Sequence, residues 1–467
     1  MNFRLHCRGW LAASLLAACS FLSACAHRPL QRAPGAAEAV SGVVTADIQA
    51  AIEKHIDKET RAGGGVFKVP FKRDELKLKL VRVHTEYLAT LAPQKHFACV
   101  DLVGADGPVY DVDFFLTGDP GAMTVTETTV HKINAQPFYL WEQRGDGTWR
   151  RRSVKQASGR LLGVLHGQDE FEFTYRVKLP ALTNSARMWL PLAQSDRFQS
   201  IEVTSLTTPV PTKEILEAGH GNKVLFLTPR ADDSGKIIEI RYRVRRTEKT
   251  PYYEPGTQPD RYLAPETLVP NNTNFQAIAR EVTKGKAADL YRARALYDHV
   301  IERLRYAKYG SGWGRGDAVY ACDARSGNCS DFHSYFIALA RAVGIPARFA
   351  IGAAIPSERD SGGIDGYHCW AEFFAEGKWW PVDISEADKN SSLSQYYFGH
   401  HPANRIEFSR GRDLVVESGP ASGPINFLAY PVLEIGGQVV KAETTFQFRR
   451  SSANERHKLA ALSDARP

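Results

Sequence analysis

Two periodicities alternate along this chain. Ile48, Ile52 and Ile56 recur at the four-residue spacing of one helix face and predict a helix at the start of the folded region. Apolar and polar residues then alternate one for one in Leu76-Lys77-Leu78-Lys79-Leu80 and Val109-Tyr110-Asp111-Val112, the period of half-buried strands. The same period returns in Phe171-Glu172-Phe173-Thr174-Tyr175, around Met188-Trp189-Leu190, and from Ile238 to Val244. Proline is frequent from Pro251 to Pro270, a linker composition. Helical spacing resumes from about Ala287 to Tyr306. It resumes again at Phe332, Phe336, Leu339 and Val343, where Gly344 and Pro346 end it. Tyr367 to Phe374 and Trp379 to Asp383 predict two strands joined at Glu376-Gly377-Lys378. These patterns divide the chain into an N-terminal α+β domain at 43–160, a small β-sandwich at 161–250, a linker at 251–270, a further domain at 271–448 and a disordered tail at 449–467. The expected fold class is α+β.

The domain at 271–448 carries the chemistry. Cys329, in Gly327-Asn328-Cys329-Ser330-Asp331-Phe332, stands at or just before the start of a predicted helix. Free amides and the positive end of the helix dipole favour a thiolate there. His368 and Asp383 lie on opposite arms of the predicted hairpin, so His368 can exchange a proton with Cys329 while Asp383 holds the imidazole tautomer. Singly, each residue has an ordinary reading: a buried cysteine, a core histidine, a strand-ending aspartate. Their order and context together point to a triad. The Cys329 backbone amide is the first oxyanion donor to expect. Trp313, in the glycine-rich run Tyr309-Gly310-Ser311-Gly312-Trp313-Gly314, is a candidate second donor, or simply a packed tryptophan. Cys329, His333, His368 and the His400-His401 pair could in principle hold a metal. No Cys-x-x-Cys or His-Glu-x-x-His spacing is present, and no metal is expected. Cys369 follows His368 on a strand and is expected to pack on the opposite face.

Gly327-Asn328-Cys329, Gly344-Ile345-Pro346-Ala347-Arg348, Tyr367-His368-Cys369-Trp370-Ala371-Glu372 and Trp380-Pro381-Val382-Asp383 together resemble the bacterial transglutaminase-like superfamily. The resemblance runs from about Pro265 to Val416, the span of one domain. It implies a papain-like catalytic core with Cys329 as nucleophile, His368 as base and Asp383 as the orienting acid; no residue pattern marks a cofactor, and none is expected. The expected activity is acyl transfer or hydrolysis at amide bonds of a protein or peptide substrate through a thioester. The superfamily also holds peptidases and inactive members. A cysteine peptidase and a non-enzymatic envelope scaffold are therefore the alternatives.

Composition adds a destination. The formal charge is +7 over 467 residues, too small an excess to suggest nucleic acid. The basic run Arg241–Arg246 is interleaved with Tyr242 and Val244 and reads as one face of a strand. Arg4 and Arg8 precede an apolar stretch from Trp10 to Leu22, as in an export signal. Leu22-Ser23-Ala24-Cys25 resembles a bacterial lipobox, which implies a signal peptide at 1–24, lipidation of Cys25, a tether at 25–42 and membrane attachment through the lipid. Leu16-Ala17-Ala18-Cys19 also fits, but polar sequence begins just after Cys25. Ala26 favours the outer membrane, at its periplasmic or surface face. Cys99, Cys322 and Cys369 remain, and three thiols cannot all pair.

Overall fold

The computed structural model describes residue 43 and residues 45–450, apart from 72–73, 85–87, 93, 106, 135, 144–148, 154–162, 309–310, 358 and 391–392. The expected lipidation site Cys25, the signal peptide and the tail beyond 450 lie outside the described residues.

Helix α1 (Thr45–Ala62) buries Ile48, Ile52 and Ile56, as their spacing predicts. They pack on an antiparallel sheet of β1 (Phe67–Phe71), β2 (Asp74–Val83), β3 (Ala89–Ala92), β4 (Lys95–Gly104), β5 (Val109–Thr117), β6 (Thr124–Ile133) and β7 (Gln136–Pro137). Strand order is β1-β2-β4-β5-β6-β7, with β3 paired to β4. A hairpin of β8 (Tyr139–Gln143) and β9 (Trp149–Ser153) follows.

The next segment supplies β10 (Gln168–Lys178), β11 (Ala186–Leu192), β12 (Gln199–Thr207), β13 (Thr212–Leu216), β14 (Lys223–Leu227) and β15 (Ile237–Thr247). After the proline-rich linker come α2 (Thr273–Val282), α3 (Asp289–Arg303), β16 (Arg305–Tyr306), α4 (Ala318–Ala324), β17 (Ser326–Gly327), α5 (Cys329–Ala342), β18 (Ala347–Ala354), β19 (Ser361–Ile364), β20 (His368–Ala375), β21 (Lys378–Val382), α6 (Ile384–Lys389) and β22 (Arg405–Arg410). The described chain ends in β23 (Val432–Ile435), β24 (Gln438–Val440) and β25 (Glu443–Arg450).

The sandwich expected at 161–250 is built from both ends of this region. One sheet runs β12-β15-β10-β25-β19 and the other β13-β14-β11-β23-β24. The last three strands, which the sequence places in the domain at 271–448, therefore belong to the sandwich. The pattern within β25 explains the pairing: Phe446 and Phe448 point inward and match Tyr175 and Phe173 across the ladder. On β15, Arg241, Arg243 and Arg245 form the exposed face. They meet Glu239, Glu202 and Glu170 respectively.

The central unit is a four-stranded antiparallel sheet, β21-β20-β18-β22, with α5 packed against it. Phe336 of α5 meets Phe373 of β20 at 6.1 Å between ring centroids. The resulting core is continuous with that of the sandwich.

Candidate active site

Cys329 is the first residue of α5, three residues before the apolar periodicity begins. A capping box accounts for the early start. Asn328 accepts the Ser330 amide through Oδ1 at 3.0 Å, and Asp331 Oδ2 reaches back to the Asn328 N–H at 2.9 Å. As the first helical residue, Cys329 keeps its own N–H free of an intrahelical partner. The same Asp331 accepts the amides of Gly314 at 2.7 Å and Gly316 at 2.9 Å, which ties the loop carrying Trp313 to the first turn of α5. Trp313 is half-buried on that loop. Gly327 allows the turn, since a Cβ there would stand 2.5 Å from the Asp331 Cβ.

His368 opens β20, and Asp383 stands one step past the last residue pair of the β20–β21 ladder, Ala371 with Val382. His368 Nε2 lies 2.6 Å from Asp383 Oδ2, and the imidazole also hydrogen-bonds the Cys329 thiol. Asp383 caps α6 through Oδ1, which accepts from the Glu386 amide and the Ser385 hydroxyl, both at 3.2 Å. Arg405 approaches its other oxygen at 3.4 Å. All three residues are buried. Trp370, fully buried, has its ring 6.1 Å from that of His368.

These contacts set the charges. Burial raises the Cys329 thiol, but hydrogen bonds from Cys369 and His368, and the His368 charge, hold it well below an ordinary cysteine. Burial pulls His368 down, but the Asp383 charge, its hydrogen bond and the Cys329 thiolate raise the imidazole to about 9. Burial raises Asp383, and His368 and Arg405 outweigh it, so the carboxylate stays well below its usual range. All three shifts favour a thiolate–imidazolium pair steadied by a carboxylate.

Cys369, expected to pack on the strand face opposite His368, is fully buried. Its thiol hydrogen-bonds Cys329 and lies 3.7 Å from His333 Nδ1. At the first residues of β20 the side chains are read against the tip of α5, so alternation along the strand does not separate His368 and Cys369 into remote environments. Cys99, Cys322, Cys329 and Cys369 are all free thiols. His333, His368, His400 and His401 are also buried. No metal-ligand group among the described residues includes them or Cys329.

Residues 276–384 match the family model of the transglutaminase-like superfamily, a span that contains Cys329, His368 and Asp383. The chain carries a transglutaminase-like core. It is 24% identical over 328 residues to an uncharacterised protein of Haemophilus influenzae, an alignment covering 60% of this chain and 89% of that protein. Among solved structures, a candidate cysteine protease from Cytophaga hutchinsonii aligns at 18% identity over 61% of this chain and 93% of its own, with a TM-score of 0.42. The periplasmic domain of TgpA from Pseudomonas aeruginosa aligns at 16% identity over 51% and 94%, with a TM-score of 0.27.

Within this transglutaminase-like core, sequence reasoning missed two supports. His333 sits one turn after Cys329 and donates from Nδ1 to the Cys329 carbonyl at 2.7 Å, while Nε2 accepts the Ile384 amide at 3.0 Å. Burial lowers its pKa, so it stays neutral and joins the nucleophile's turn to the residue after Asp383. Its four-residue spacing from Cys329 was the available signal. Tyr367 bonds through its hydroxyl to Asn328 at 2.9 Å and to the Gly314 carbonyl at 3.2 Å, closing the loop over the helix start. No local pattern marks it.

Proposed function

We propose that this protein is a thiol enzyme that transfers acyl groups from protein or peptide amides. The observation that carries this reading is the line from Cys329 at a helix N-terminus through His368 to Asp383. The Cys329 thiolate attacks the amide carbonyl carbon. The oxygen that becomes negative faces the Cys329 N–H, with the Trp313 indole N–H as the second donor. His368 releases its Nδ1 proton to the departing nitrogen as the C–N bond breaks, leaving a thioester on Cys329. The neutral imidazole then takes a proton from water or from an incoming amine. Water completes hydrolysis, and an amine completes a cross-link. Asp383 keeps the Nε2 proton directed to itself throughout.

The test is covalent trapping. A peptide-amide electrophile should label Cys329 in the wild-type protein and leave Cys329→Ala unlabelled, with the folded state unchanged. Products formed with and without an added primary amine then separate hydrolysis from transfer. Failure of any peptide amide to acylate Cys329 would favour the scaffold reading.

The export reading belongs to the same proposal. Cys25 is the lipidated terminus of an envelope protein anchored to a membrane, with the outer membrane favoured by Ala26. Among the described residues no helix is long and apolar enough to cross a membrane. Mass spectrometry of the mature N-terminus should find a diacylglyceryl-modified Cys25, and Cys25→Ser should abolish the modification. An unmodified terminus in the membrane fraction would end that reading.

A further inference from the structure

One face of the N-terminal sheet is polar and nonetheless buried. Alternation directs Ala98, Val100, Leu102, Val112 and Phe114 towards α1, so Cys99, Asp101, Asp111 and Asp113 project from the other side. Such a face ordinarily meets water. Here Cys99 is 3% exposed and the three aspartates are 0% exposed. The catalytic unit covers them: Arg294 of α3 lies 2.9 Å from Asp101 Oδ2, and Gln395 sets its amide against Asp101 and against Asp111 Oδ2 at 3.1 Å. Carboxylates in so dry a place require cations.

The donors are also grouped. His84 extends β2, its N–H bonded to the Cys99 carbonyl at 2.9 Å and its Nε2 3.0 Å from Asp101 Oδ1. Cys99 Sγ stands 2.8 Å from Asp111 Oδ1, while Lys132 holds the other Asp111 oxygen at 2.8 Å. One ligand atom each from His84, Cys99 and Asp111 lies within 4.8 Å of the others, and Asp111 shares a second such group with Asp113 and His131. Ligand atoms bound to zinc at about 2.0–2.3 Å in a tetrahedron stand roughly 3.3–3.8 Å apart, inside that limit. A separate observation points the same way. Gln395, 5% exposed, has a buried Oε1 without a hydrogen-bond partner, on the same amide whose nitrogen donates to Asp101 and Asp111.

We propose that His84, Cys99 and Asp111 bind one divalent ion of the zinc class where the N-terminal domain meets the catalytic unit, with Gln395 supplying the fourth donor. Imidazole, thiolate and carboxylate together are a zinc donor set. Binding forms a metal–sulfur bond and releases the Cys99 proton to solvent. The Asp101 carboxylate bonded to the His84 ring is the partner that orients a metal-binding imidazole. The ion would tie β2, β4 and β5 to the segment around Gln395.

The test uses the full chain with Cys329→Ala, so that zinc cannot sit on the Cys329–His368 pair. After equilibrium dialysis against zinc chloride, elemental analysis should find one tightly held zinc per chain, and zinc-edge X-ray absorption should show a single sulfur among nitrogen and oxygen neighbours. Cys99→Ser and His84→Ala, added to that background, should each weaken zinc binding at least tenfold. Stripping zinc with a chelator should lower the thermal midpoint, and zinc should restore it. Absence of bound zinc, a sulfur-free or multi-sulfur shell, or unchanged affinity in a folded Cys99→Ser protein would overturn the proposal. If Cys99→Ser does not fold, the absorption measurement on the intact site decides. None of these readouts depends on acyl-transfer activity.

Discussion

A cysteine buried among apolar side chains is normally a poor nucleophile, because burial disfavours the thiolate. Cys329 escapes this through its neighbours, and the direction of each shift fixes a pH window. His368 keeps its charge up to about 9, above the ordinary imidazole, and Cys329 is ionised well below an ordinary thiol. The reactive pair therefore exists from the depressed thiol midpoint up to about pH 9 and is lost above it as His368 gives up its proton. Iodoacetamide should alkylate Cys329 with a midpoint well below that of a free cysteine, and acyl transfer should decline on the alkaline side near pH 9. His368→Ala should move the alkylation midpoint upward; identical midpoints in both proteins would sink the ion-pair account. Asp383→Asn should preserve the fold and cost roughly 10⁴-fold in turnover, the scale known for a mis-oriented histidine in a serine triad. Single-turnover rates of the wild type and Asp383→Asn at neutral pH measure the loss.

At the scale of elements, the site depends on how α5 begins. Asp331 has three jobs with two oxygens: it closes the capping box on Asn328 and holds the amides of Gly314 and Gly316. Asp331→Ala should cost at least about 1 kcal/mol of stability, because the Asn328, Gly314 and Gly316 amides lose their acceptor. It should also release the loop that carries Trp313, so the fall in turnover should exceed what thermal melting shows. A variant that loses stability but keeps full turnover would detach the loop from catalysis. The periodicity of α5 was legible in the sequence, as were the hairpin of β20 and β21 and the residues they bring together. The contact of Cys369 with Cys329 was not, because strand alternation describes the two sheet faces and not what meets the end of a neighbouring helix. Nor was the burial of Asp101, Asp111 and Asp113: the polar half of an alternating pattern looks solvated until another domain is laid on it.

At the scale of the molecule, the chain leaves the sandwich after β15, builds the transglutaminase-like unit, which lends β19 to the edge of one sandwich sheet, and returns to the sandwich for β23 to β25. Local pattern could not place those last strands, because pairing of β25 with β10 spans most of the intervening sequence. The junction is fastened by charge as well as by apolar contact. Glu372 of β20, 1% exposed, accepts from Lys249 and Tyr252 at the start of the linker, at 2.8 and 2.9 Å, and from Arg348 of β18 at 2.8 Å. Burial raises its pKa, but Lys249 and Arg348 hold it well below the ordinary glutamate, so it is charged at neutral pH. Removing one member of such a group strands the others in a dry place. Glu372→Ala should therefore destabilise the protein by about 3–5 kcal/mol, because Lys249 and Arg348 lose the buried carboxylate they share and keep only Glu407, at 3.3 Å, and the partly exposed Glu254, at 2.8 Å. Glu172 offers the control: it pairs with Arg449 at 2.8 Å on the exposed face of the sandwich, with side chains 50% and 69% exposed. Water and salt already screen that pair, and Glu172→Ala should cost less than about 1 kcal/mol. Urea unfolding of the two variants, followed by tryptophan fluorescence, makes the comparison. Equal losses would mean that the buried group does not hold the sandwich to the catalytic sheet; a loss confined to Glu372→Ala would place the fastening at the linker.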